Sequence, residues 1–188
     1  MSRSRLRLLI AILIVGVSVF YLGWQDPGQK PKNADNKPAH PQADYFIKQS
    51  HSKDFSSDGF KTQSLTSEFI EHLPAKQRLE LLKPEIHFFE LGKLTNSVNS
   101  NQGEIPDQSK QIEFIGNVII RDHQQPEKQQ TINTEVLTVF TEKKLAKTAS
   151  KVTISDQSGR TTGVGMQADF NVNTVELQSQ VKGLHYVN

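Results

Sequence analysis

Residues 132–154 read INTEVLTVFTEKKLAKTASKVTI. Two runs rich in β-branched residues flank the polar stretch Thr141–Lys144, which has the composition of a turn. The reading is therefore two antiparallel strands about a tight connection. Similar segments lie on either side at a spacing of roughly 33 residues: LTSEFIEHLPAKQRLELLKPEIHFF (65–89), VNSNQGEIPDQSKQIEFIGNVII (98–120) and GMQADFNVNTVELQSQVKGLHYV (165–187). Ser67, Ser100, Thr134 and Ala168 take equivalent places in the four copies, each a small residue. Glu68, Glu135 and Asp169 follow three of them, and Asn101 follows Ser100. The turns fall at Pro74–Gln77, Pro106–Ser109, Thr141–Lys144 and Asn171–Thr174.

Four such units give eight strands, and Tyr45 to Phe55 supplies a possible ninth. A two-stranded unit cannot bury its apolar face alone, so the units must stack or fold over one another. The alternation is clearest at Ile112, Phe114, Gly116, Val118 and Ile120, which share one face, with Glu113 and Asn117 on the other. Ile115 and Ile119 break the pattern, so part of the second face is covered as well. Leu65, Leu79, Leu81, Ile132, Leu137, Val139, Val152, Ile154, Phe170, Val175 and Leu177 are the other inward candidates. For most of these the simplest role is an ordinary sandwich core. A stack that does not close leaves its first and last strands as free edges, templates for another chain's strand. If its two sheets gape, the interior is an apolar groove.

Composition narrows the function. The chain holds 22 basic and 20 acidic residues, and without Arg3, Arg5 and Arg7 the basic count falls to 19. No basic face for nucleic acid is indicated. The absence of cysteine excludes disulfides, thiolate nucleophiles and Cys-ligated metal sites.

Leu8 to Trp24 reads LLIAILIVGVSVFYLGW, without a charge. At ~1.5 Å per residue it is about 25 Å long, close to the hydrocarbon core of a thin bilayer. Tyr21 and Trp24 suit the headgroup region. A cleaved signal peptide shares the basic start but calls for small residues at the cut, and Phe20 to Trp24 is bulky. The expectation is one transmembrane helix over 8–24, with the tail 1–7 in the cytoplasm by the positive-inside rule, although Lys30, Lys32 and Lys37 beyond the span make the bias modest. Residues 25–44 carry four prolines and no large apolar side chain. They read as an extended linker reaching about 60 Å, ahead of a β domain over 45–188.

Chemical motifs are few. The six histidines show no metal-ligand spacing. Glu68 and His72 stand four apart, but in a strand rather than on a helix, so His72 reads as a strand-end residue beside the Pro74 turn. Gly163-Val164-Gly165 lacks the helix and third glycine of a phosphate loop and reads as a strand bulge or bend. Ser158-Gly159 reads as a turn, and no nucleophile elbow is present. No catalytic residue, metal or cofactor is assigned.

Asp58-Gly59, Leu65 to Pro74 (LTSEFIEHLP), Lys83-Pro84, Gly116-Asn117-Val118 and Gly163 to Asp169 (GVGMQAD) stand in an order and spacing that resembles the lipopolysaccharide export protein LptC family over nearly the whole chain. Around Asn96, where that family often carries tryptophan, this chain is polar and its strand poorly defined. The resemblance implies an open β-jellyroll behind an inner-membrane anchor, and no enzyme. It implies receipt of lipopolysaccharide from an ABC transporter (LptB, LptF and LptG) and transfer to the periplasmic bridge protein LptA. The N-terminal strand would abut the transporter, and the last strand would pair with LptA through Val175, Leu177, Val181, Gly183 and Tyr186. By inward phase, Leu65, Leu81, Phe114, Val118, Ile132 and Val139 are the expected lipid-facing residues. Two other readings compete: a membrane-anchored scaffold that binds protein by strand addition without carrying lipid, and, third, a β-sandwich hydrolase.

Overall fold

The computed structural model describes residues 43–124, 127 and 130–186. The expected span 8–24 and nearly all of the linker 25–44 lie outside these residues. Among the described residues no helix is long and apolar enough to cross a membrane.

Among the described residues eleven strands form one antiparallel sheet: β1 (Tyr45–Phe55), β2 (Lys61–Leu73), β3 (Arg78–Leu82), β4 (Glu85–Glu90), β5 (Lys93–Asn99), β6 (Gln102–Pro106), β7 (Gln111–Asp122), β8 (Thr131–Phe140), β9 (Leu145–Ser155), β10 (Gly159–Asp169) and β11 (Thr174–His185). The expected count of eight or nine is corrected by two interruptions. Lys83-Pro84 divides one long strand into β3 and β4, and Ser100-Asn101 divides the next into β5 and β6. Proline has no amide hydrogen to continue a ladder, and Lys83 adopts the left-handed region at φ 48°. With these pairs joined, the chain is a meander of nine strands, each beside its sequence neighbour.

Every long strand bends near its middle. Strand β2 pairs with β4 through Gln63–Thr66 and with β3 through Phe69–Leu73, changing partner at Ser67-Glu68. Strand β7 pairs with β6 through Glu113–Ile115 and with β5 through Ile119–Asp122. The register shifts between Ile115 and Val118, between Asn133 and Thr138, and between Val164 and Met166. Gln49, Lys83, Gly116, Asn117, Gly165 and Gln180 all have positive φ along this line. Bulges of this kind bend a strand and increase its twist. Aligned across the sheet, they make a crease, and the sheet folds along it into two facing flaps.

One flap holds the first half of β2, strands β4 and β5, and the second half of β7. The other holds the second half of β2, strands β3 and β6, and the first half of β7; β8 to β11 continue both. Ile86, Phe88, Val98, Val118, Ile120, Ile132 and Val152 from the first flap pack with Ile112, Phe114, Leu137, Val139, Ala146, Met166, Ala168 and Phe170 from the second in a single core. The four turns read from the repeat all lie on the outer margin of the second flap, and each contains a residue in the left-handed region: Gln77, Gln108, Lys144 and Asn173.

Candidate functional site

Three of the repeat's four small residues lie on the crease. Ser67 donates its hydroxyl to the carbonyls of Phe69 and Leu82, each at 2.8 Å. Ser100 donates to the carbonyl of Gln102 at 2.6 Å, and Thr134 to that of Lys151 at 3.0 Å. All three are buried. A bulge leaves ladder carbonyls without their amide partners, and a short hydroxyl side chain supplies the missing donor. Ala168 is buried on the core side of β10, past the bend at Gly165. The acids beside these residues do local work: Glu68 pairs with Lys83 at 2.9 Å, and Asp169 accepts the amide of Asn171 at 2.9 Å.

The interior between the flaps holds the expected lipid-facing residues. Leu81, Phe114, Val118, Ile132 and Val139 are buried, with Phe114, Val118 and Val139 fully enclosed by neighbouring side chains. Leu65 is partly exposed and packs against the core from the β1 side. It joins Ile86, Ile105 and Ile112 in a cavity of about 270 Å³ rimmed by Asp54, Lys110 and Glu142. That cavity opens at the mouth, the margin opposite the crease. Elsewhere the mouth is spanned. Phe88 and Phe170 meet with ring centroids 5.2 Å apart, the Lys144 ammonium donates to the carbonyl of Phe89 at 3.4 Å, and the Asn173 amide donates to Asp122 at 3.0 Å.

The two ends of the stack are open. Among the described residues, strand β1 pairs only with β2, and β11 only with β10. In both, almost every residue is exposed whichever face it takes. Tyr45, Phe46, Ile47, Phe55 and Phe60 lie exposed at one end, and Val175, Val181, Leu184 and Tyr186 at the other. Val175 is thus exposed rather than inward, because among the described residues no strand lies beyond β11. Leu177 is partly buried against the core, and Gly183 faces Thr161 of β10.

The polar segment around Asn96 is a well-paired strand. Strand β5 bonds to β4 on one edge and β7 on the other. Its outer face is covered as well: His123 follows β7 and places Nε2 2.8 Å from the Ser97 hydroxyl, while its amide donates to the carbonyl of Thr95 at 2.8 Å. Burial, and then the nearby His87, push the His123 pKa down. Both causes favour the neutral imidazole, which shares a hydrogen bond with the Ser97 hydroxyl. This pairing had no signal in the hydrophobic pattern.

His72 stands at the end of β2, as expected, but not alone. Its Nδ1 is 2.7 Å from Asp44 and its Nε2 3.2 Å from Asp107, and the Tyr45 ring stacks on it at 4.9 Å. The hydrogen bonds to Asp44 and then Asp107 raise the His72 pKa. The cluster ties the root of β1 to the β6–β7 turn. No group of residues among those described could hold a metal ion.

A family model described as "Lipopolysaccharide-assembly, LptC-related" matches residues 9–186. The chain belongs to this family. It acts in lipopolysaccharide transport through a periplasmic domain, and it is a transport protein rather than an enzyme. The stretches that carry the resemblance fall on turns and on the crease: Gly59, Lys83, Gly116, Asn117 and Gly165 all have positive φ. Among solved structures the chain is similar to LptH, the LptA homologous periplasmic component of the lipopolysaccharide transport device of Pseudomonas aeruginosa. The TM-score is 0.48 at 7% identity, over 72% of this chain and 94% of that one. Comparison with curated proteins yields no match.

Proposed function

We propose that this chain is anchored in the inner membrane, receives lipopolysaccharide from the ABC transporter LptB/LptF/LptG, and passes it to LptA through the space between the flaps. The observation that carries this reading is the pair of unsatisfied ends. Strands β1 and β11 are exposed on both faces, whereas β2 and β10 each bury one, so the interior runs out to an open edge at both ends of the stack. Transfer across water would expose acyl chains at ~0.8 kcal/mol per CH₂, and a continuous apolar passage removes most of that barrier. The β1 edge abuts the transporter. The β11 edge pairs with LptA by strand addition through Val175 to Tyr186. The linker holds the domain away from the membrane.

A second reading is supported by the tight packing of Phe114, Val118 and Val139. It is a scaffold that joins its partners by strand addition and carries no lipid. Photo-crosslinkers at Leu81, Phe114, Val118, Ile132 and Val139 in intact cells separate the two. Lipid carriage expects capture of lipopolysaccharide at these sites and none at Glu113 or Asn117. A scaffold expects no capture at any of them.

A further inference from the structure

The inward face of β5 carries a buried amide beside an apolar row. Ile86, Val98 and Ile120 form one inward row across β4, β5 and β7, and the next row is Phe88, Asn96 and Asp122. Asn96 is only 3% exposed, and its Oδ1 is buried with no hydrogen-bond partner among the described residues. Both flanking residues reach across the mouth: Phe88 meets Phe170, and Asp122 accepts from Asn173. The orphan acceptor therefore sits directly behind two cross-mouth contacts.

A desolvated carbonyl without a donor is costly, and native interiors rarely retain one. An aliphatic side chain at this position would be the more stable choice. The contacts in front of it are a single ring pair and one exposed side-chain hydrogen bond, both weak enough to part. We infer that Asn96 is a polar seat inside the lipid passage, where its Oδ1 accepts an O–H or N–H borne near the head of an acyl chain, as in a β-hydroxyacyl group or an amide-linked chain. Plain hydrocarbon leaves the acceptor unpaired, so the seat distinguishes hydroxylated or amide-linked chains from simple ones. This inference rests on the lipid-carriage reading above.

The test uses the full-length chain in nanodiscs, with empty discs subtracting partition into the bilayer. Binding of β-hydroxytetradecanoic acid is compared with that of tetradecanoic acid. The expected result is a preference of about five- to tenfold for the hydroxylated acid, the scale of one hydrogen bond to an otherwise unpaired acceptor. In Asn96→Leu the two acids should bind equally, while thermal stability is retained or increased. Equal binding of the two acids by the unaltered chain overturns the seat and leaves lipid carriage standing, and this comparison decides even if Asn96→Leu does not fold. A preference that survives in a folded Asn96→Leu also overturns it. Failure of the unaltered chain to bind either acid overturns the lipid-carriage reading, and the seat with it.

Discussion

Ser67 of β2 shares its hydroxyl proton between the carbonyl of Leu82, 2.8 Å away on β3, and that of Phe69, two residues along its own strand. The contact lies where β2 leaves β4 and joins β3, so one short side chain serves the backbone at the point where the sheet folds over. Removing it leaves two half-buried carbonyls short of a donor. Ser67→Ala is expected to cost about 1–2 kcal/mol, read from the urea midpoint. No shift of the midpoint would mean the crease is held by backbone geometry alone.

His72 makes the stability of the domain depend on pH. The Asp44 and Asp107 carboxylates favour the imidazolium, so the folded pKa lies above the ordinary value of 6.5. A group whose pKa rises on folding contributes its full stabilisation below the unfolded value and loses it as pH climbs through the folded one. His72→Gln should therefore destabilise the domain most below pH 6.5, with the difference from the unaltered chain shrinking at higher pH. The check is denaturation of both chains at about pH 5.5 and about pH 9. In an NMR titration, Asp44→Asn should move the His72 midpoint down.

Arg78 relieves a row of like charges. The register sets Glu71, Glu80, Glu104 and Glu113 opposite one another across β2, β3, β6 and β7. Carboxylates directly opposed on neighbouring strands repel. Arg78 answers two of them, reaching Glu80 and Glu104 at 2.8 Å each, and Lys76 also holds Glu80 at 2.8 Å. Lys76 and then Arg78 hold the Glu80 carboxyl below its usual range. Arg78→Met should cost about 1 kcal/mol at low ionic strength and less in ~1 M salt, where screening weakens both repulsion and relief. A cost unchanged by salt would assign the effect to packing of the arginine stem.

The outer edge of β11 should tolerate a side chain but not the loss of its donor. Val181 falls where the β10–β11 register lapses, between Ser179 opposite Val164 and Lys182 opposite Thr162. Proline there takes one amide donor out of β11 where the pairing to β10 has lapsed, while the flanking pairs remain. Val181→Pro is expected to abolish pull-down of LptA while crosslinking of lipopolysaccharide to the interior persists. Retained LptA binding would rule out backbone pairing along this strand.

Sequence alone determined most of the long strands, the four turns of the repeat and the inward phase of most of their apolar residues. The turns at Gln77, Gln108, Lys144 and Asn173 were legible because a polar break between β-rich runs is a local signal, written in a few adjacent residues. Ile112, Phe114, Val118 and Ile120 were legible because alternation has a period of two. The repeat even marked Ser67, Ser100 and Thr134, without revealing that they form a crease. Tertiary structure decided the rest. It set the divisions of β3 from β4 and of β5 from β6 on the crease, where β2 and β7 change partner. It buried the polar strand at Asn96 by pairing both its edges and laying His123 over its outer face. It joined Asp44, His72 and Asp107, and it brought Asp122 to Asn173 across the mouth. Hydrophobic periodicity records which face of a strand is turned inward, and it carries no information about which distant residue will meet it there.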